Sequence, residues 1–191
     1  MKVENMNKPH YFIAISLPQS LKDSLFHIQS KLKPNLPYKI WPHKEDLHIT
    51  LKFLGEVDNK KVRELNKHLN SLTMLTSFKT TVESIGYFGK EDRPRVLWAG
   101  VRRNEELVWL KKEVEALTLK TDFENEKRDY KPHITLAKKW NGDPCKEVLK
   151  RIVEEYKNKR FELIINEVIL YKIHPKSTPK YEAICRYRLK E

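Results

Sequence analysis

The period of the apolar positions changes repeatedly along the chain, and each change marks an element. Tyr11–Leu17 has the run of a strand. Pro18 suits the first turn of a helix, and Leu21, Leu25, Ile28 and Leu32 follow at helical spacing until Pro34 and Pro37 end it. Lys39–Trp41 is a short extended piece before Pro42. Leu47–Leu54 predicts a strand closed by Gly55. Asp58 is the expected N-cap of a second helix carrying Val62, Leu65, Leu69 and Leu72. Phe78–Phe88 and Arg95–Val101 read as a hairpin around the polar loop Gly89–Pro94. A third helix starts near Asn104, with Leu107, Leu110, Val114 and Leu117 on one face. Asp122–Lys131 is a charged loop, and Pro132 opens the next strand, where a missing N–H does least harm. Asp143-Pro144 predicts an N-cap and first turn for a fourth helix through Leu149, Ile152, Val153 and Tyr156. Phe161–Ile173 and Tyr181–Leu189 predict a final hairpin around His174–Pro179.

This series repeats itself. His-Ile-Thr-Leu occurs at His48–Leu51 and again 85 residues later at His133–Leu136. Phe12 lies 36 residues before the first histidine, and Val96 lies 37 before the second. Phe78, Val82, Ile85 and Phe88 align without gaps on Phe161, Ile165, Val168 and Tyr171. Each half reads strand, helix, His-Ile-Thr-Leu strand, helix, strand, and one duplication explains the match. The expected fold is α+β and bilobal. Two antiparallel sheets flank a central cleft, with helices outside and a pseudo-twofold between the lobes. Residues 1–191 form one domain in this reading, with halves at about 10–90 and 95–189.

The repeated tetrapeptide carries candidate chemistry. In a strand, residues i and i+2 share a face, roughly 7 Å apart. His48 with Thr50, and His133 with Thr135, therefore present one imidazole and one hydroxyl each to one side. Two such faces brought together suit a phosphodiester. One neutral imidazole takes a proton from water and one imidazolium protonates the departing oxygen, help typically worth about 10²–10⁴-fold. The threonine hydroxyls can donate to the non-bridging oxygens, where charge gathers. A strained 2′,3′-cyclic phosphate fits best, because ring strain helps its leaving group depart. The alternative is two strand histidines satisfied by hydrogen bonds in a core. Neither strand supplies the further ligands of a zinc site, so no metal and no cofactor are expected.

Charge points the same way. Lys and Arg number 38 against 26 Asp and Glu, a net +12, which biases the chain toward polyanions such as nucleic acid. The same charge also suits a protein that is only kept dispersed by it. Cys145 and Cys185 form no CxxC pair, Met1–Pro9 has no apolar signal core, and no apolar run reaches membrane-spanning length. The expectation is a soluble cytoplasmic monomer with no membrane association.

The chain resembles the two-histidine (2H) phosphoesterase superfamily, and within it the bacterial and archaeal RNA 2′,3′-cyclic phosphodiesterases, also called 2′-5′ RNA ligases. The residues that carry the resemblance are Phe12–Ile15 with Leu17-Pro18, Leu47–Val57, Arg93–Val101 and Lys131–Ala137. It implies the bilobal fold and hydrolysis of an RNA 2′,3′-cyclic phosphate to a 2′-phosphate. It implies His48 as proton donor, His133 as proton acceptor, and Thr50 and Thr135 as phosphate ligands. Family members often carry an arginine five residues after the second histidine. Here that position is Lys138, a substrate-binding candidate that keeps the charge and loses the bidentate fork. The implied partner is RNA with cyclic phosphate ends, such as tRNA fragments, or cyclic nucleotides. Two other readings stay open: 2′-5′ ligation, the reverse reaction, and an RNA-end-binding protein without turnover. Among other residues, Lys52 is expected on the outer face of its strand, Phe12 in the core, and Trp41 and Trp98 in the core or on the cleft wall.

Overall fold

The computed structural model describes residues 9–143 and 145–191, and its nine strands make two antiparallel sheets. The first contains β1 (His10–Ser16), β3 (His48–Glu56), β8 (Glu167–Ile173) and β9 (Tyr181–Arg188), in the order β3-β1-β8-β9. The second contains β2 (Tyr38–Ile40), β4 (Phe78–Gly89), β5 (Pro94–Val101), β6 (His133–Trp140) and β7 (Arg160–Ile165), in the order β2-β6-β5-β4-β7. Four helices cover them: α1 (Gln19–Leu32), α2 (Asn59–Leu69), α3 (Glu105–Leu119) and α4 (Lys146–Tyr156). α2 and α3 pack on each other and α3 on β3, while α1 meets β6 and α4 meets β4. This is the expected α+β architecture of two antiparallel sheets with helices.

The apolar stripes account for the packing. Leu21, Leu25, Ile28 and Leu32 of α1 are buried, as are Leu107, Leu110, Val114 and Leu117 of α3. They join Ile13, Ile49, Leu97 and Ile134 from the strands in one cluster spanning both sheets. Each such side chain removed from water contributes about 1.5–3 kcal/mol. Two helix starts follow the sequence closely. Asp58 accepts a hydrogen bond from Lys61 N–H (2.8 Å), and Asn104 accepts one from Leu107 N–H (3.2 Å).

Other boundaries differ. Pro18 precedes α1, and its carbonyl accepts the first helical N–H groups of Leu21 and Lys22. α2 stops at Leu69, and Leu72 is buried from a following 3₁₀ turn, Asn70–Met74. α4 begins at Lys146 with Cys145 at the N-cap and no side-chain bond there. Asp143 therefore lies ahead of the cap position, and Pro144 lies outside the described residues.

The largest difference concerns the expected strand Phe161–Ile173. It is two strands in different sheets, β7 beside β4 and β8 between β1 and β9, with only Asn166 between them. The final hairpin is thus β8 with β9. Each sheet takes strands from both sequence halves: β4 pairs with β5 in one, and β8 pairs with β1 in the other. Apolar residues on both sides of Asn166-Glu167 hide the switch. Val168, Ile169 and Leu170 are all fully buried, as expected for a strand covered on both faces.

Candidate active site

β3 forms an edge of the first sheet and contacts β6 of the second. The two His-Ile-Thr-Leu strands thereby line a shared cleft of about 450 Å³ whose walls include His48, Thr50, Thr135 and Lys138. His133 stands two residues before Thr135, half-buried against Phe88 (4.9 Å between ring centroids) and Trp98 (6.4 Å). Ile49, Leu51, Ile134 and Leu136 point into the core, as alternation requires.

The two imidazoles are held the same way. His48 Nδ1 lies 2.7 Å from the carbonyl of Asp46, and His133 Nδ1 lies 2.7 Å from the carbonyl of Lys131. A carbonyl only accepts, so each Nδ1 carries its proton and each neutral Nε2 is left as an acceptor. His48 Nε2 pairs with the Thr50 hydroxyl at 3.0 Å. Phe12, Tyr171 and Tyr181 surround the His48 ring, with centroids at 4.8, 6.3 and 5.3 Å. Phe12 is both core, at 3% exposure, and cleft wall.

Burial pushes the His48 imidazole down to about 4, opposed by the Asp46 carbonyl and assisted by the charges of His133 and Lys138. Burial also lowers His133, against the Lys131 carbonyl. Lys138 is lowered by burial first, then by Lys180 and Lys139. These shifts favour neutral imidazoles, and an arriving anion reverses that preference.

Lys138 reaches the cleft through a backbone irregularity. Strict alternation from His133 would turn it away. The register of β6 against β5 slips between Thr135 and Ala137, placing one extra residue on β6. Ala137 is then buried and Lys138 faces the cleft. The same slip occurs in β3 against β1, between Thr50 and Lys52. It sends Phe53 to the cleft, 58% exposed, and Lys52 into the interior. Lys52 does face away from the cleft, but it is buried in an ion pair with Glu115 of α3 and donates to the Glu124 carbonyl (2.7 Å).

Asp46, Lys180 and Tyr181 line the cleft without a signal in the sequence. The buried Asp46 carboxylate accepts from Lys180 N–H (2.8 and 3.1 Å) and from Tyr181 N–H (3.2 Å). It fixes the loop before β9 so that Lys180 and Tyr181 complete the wall. Tyr130, in the charged loop, donates to the Thr50 carbonyl at 3.3 Å. Among the described residues, no three His, Cys, Asp or Glu converge as a metal site.

Residues 15–98 and 101–181 match the family described as LigT like Phosphoesterase. The chain belongs to that family. A relative from Bacillus subtilis named RNA 2′,3′-cyclic phosphodiesterase is 31% identical over 95% of this chain and 97% of its own length. One of the same name from Methanocaldococcus jannaschii is 35% identical over 91% of this chain and 96% of its own. A relative from Geobacillus stearothermophilus, also so named, is 32% identical over 96% of this chain, which spans 58% of that relative's length. The Thermus thermophilus protein TT0787 superposes with a TM-score of 0.76 at 24% identity, covering 95% of this chain and 98% of that one. LigT of E. coli complexed with 3′-AMP gives 0.74 at 23%, covering 96% of this chain and 100% of that one. These likenesses show the shared fold. No helix among the described residues is long and apolar enough to cross a membrane.

Proposed function

We propose that the chain hydrolyses the 2′,3′-cyclic phosphate at an RNA end, leaving a 2′-phosphate and a 3′-hydroxyl. The matched bond at each imidazole carries this reading: both Nδ1 atoms are bonded to main-chain carbonyls, which leaves proton transfer to the Nε2 atoms, that of His48 beside the Thr50 hydroxyl. The names of the relatives at 31–35% identity agree with it. Water attacks phosphorus as His133 Nε2 takes its proton. The bond from phosphorus to the 3′ oxygen breaks, and His48 Nε2–H protonates that oxygen. Thr50 and Thr135 donate to the non-bridging oxygens, and Lys138 supplies positive charge beside them. Phe53 offers an aromatic face for the terminal base. The same reading takes residues 1–191 as one domain of two related halves, supported by the two separate stretches that match the family.

His48→Ala and His133→Ala should each lower hydrolysis of RNA ending in a 2′,3′-cyclic phosphate by about 10²–10⁴-fold, with chelator present and the fold intact by circular dichroism. Full activity in both variants would sink the two-histidine mechanism. A substrate with sulfur at the bridging 3′ position separates the roles, because thiolate leaves without a proton. It should restore His48→Ala and leave His133→Ala inactive; the opposite pattern exchanges donor and acceptor.

A further inference from the structure

A second depression of about 320 Å³ adjoins the cleft. The two share a wall formed by Ile40, Pro42, Asp46, Lys138, Lys180 and Tyr181. Beyond that wall the depression is lined by Phe26 of α1, Trp41 and Lys33. Phe26 is a large apolar side chain left 47% exposed. The Trp41 indole N–H is already bonded to the Tyr38 carbonyl (3.2 Å), so Trp41 offers the depression a ring rather than a donor.

The shared wall carries two ammonium groups, Lys138 and Lys180, beside the Asp46 carboxylate, which accepts from main-chain N–H groups. Among the described residues, the ammonium groups of Lys33, Lys138 and Lys180 form no salt bridge and donate no side-chain hydrogen bond. Lys138 and Lys180 stand close enough for one to lower the other's pKa. Two such ammonium groups between two concavities, each with aromatic faces, match base, phosphate and base of a single strand.

The depression is also braced to the catalytic strand. Gln29 is buried at 3% exposure, and its Nε2 donates to the carbonyls of Pro42 (3.1 Å) and Leu136 (2.8 Å). That side chain ties α1, the Pro42 segment and β6 into one frame, so the depression is preformed. Its Oε1 has no donor among the described residues, which leaves an acceptor beside the depression.

We infer that this depression is a subsite for the second nucleotide of the RNA. The nucleoside 5′ to the one bearing the cyclic phosphate lies against Trp41 and Phe26, and the phosphodiester joining the two lies on Lys180, with Lys138 between it and the cyclic phosphate. This rests on the hydrolase reading for the chemistry at the end, and adds that the preferred substrate is at least a dinucleotide.

The test compares adenosine 2′,3′-cyclic phosphate with the dinucleotide ApA ending in a 2′,3′-cyclic phosphate. kcat/KM should favour the dinucleotide by about tenfold in the unaltered protein, the scale of one base stacked on an aromatic side chain. Trp41→Ala and Phe26→Ala should each pull that ratio toward one. The ratio is taken within each variant, so losses from misfolding divide out. Calorimetry with the unreactive products, adenosine 2′-phosphate and ApA 2′-phosphate, gives a second readout. Turnover with no dinucleotide advantage, or a ratio that neither substitution moves, overturns the subsite and leaves the hydrolase reading standing. No turnover, with tighter dinucleotide binding that Phe26→Ala abolishes, keeps the subsite and overturns the hydrolase reading. No turnover with equal binding overturns both.

Discussion

Acid should favour the free enzyme, and the reason lies in how His48 is buried. Its imidazole is held down to about 4 and His133 is lowered as well. At pH 7 a group with a pKa of about 4 is protonated in about one molecule in a thousand. Productive encounter needs one histidine charged and the other neutral. kcat/KM should therefore follow a bell with one limb near 4 and the other below the ordinary histidine value near 6.5. That shape is the same whichever histidine donates. Bound substrate brings a negative charge that favours imidazolium, so the kcat bell should lie at higher pH than the kcat/KM bell. Stability carries the matching sign. The folded pKa lies below the unfolded one, so the folded state binds fewer protons. The stabilisation is complete above about 6.5 and is lost as pH falls toward about 4, by at most about 3 kcal/mol. Initial rates across pH at constant ionic strength, with an NMR titration of the imidazoles, measure the first two quantities. Urea midpoints at neutral and acid pH measure the third, and His48→Gln should abolish its own share of the loss. A free His48 titrating near 6.5, or a kcat/KM optimum above pH 7, refutes the reasoning.

Two substitutions probe the supports. Asp46→Ala leaves the half-buried N–H groups of Lys180 and Tyr181 without their acceptor, so urea unfolding should show a loss of about 1–3 kcal/mol, with Asn recovering part of it; an unchanged midpoint means the carboxylate does not hold that loop. A Cβ at Gly86 would sit 2.2 Å from the Trp98 ring, so Gly86→Ala should cost about 1–3 kcal/mol by overpacking. The same variant should lower kcat, because Trp98 helps wall His133. Unchanged kcat with a displaced indole in the near-ultraviolet circular dichroism would show that Trp98 does not position the histidine.

The four residues of the tetrapeptides were legible because alternation alone separates His48, Thr50, His133 and Thr135 from the buried Ile and Leu between them. Helix starts at Asp58 and Asn104 were legible because a capping side chain acts within three residues. Lys138 was suggested only by family resemblance, since the extra residue in β6 breaks the period on which alternation depends. Asp46 was invisible because its partners lie 134 and 135 residues away. The same holds for Lys52, whose carboxylate partner is on α3. The change of sheet at Asn166 escaped the pattern because edge and central strands both supply apolar residues there, and hydropathy records burial without recording which neighbour does the burying.

That crossing at Asn166 also governs mechanics. β7 anchors to the second sheet and β8 to the first with one residue between them, and β4 lies in the second sheet although β1 and β3 before it lie in the first. The two layers are therefore clasped by the chain itself rather than joined by a tether. Among the described residues no strand pair joins the two sheets, so beside Asn166 the reach of that one residue sets how far they can part. The spacing between the two His-Ile-Thr-Leu strands is consequently constrained by the backbone weave, set when the protein folds and not renewed at each substrate encounter.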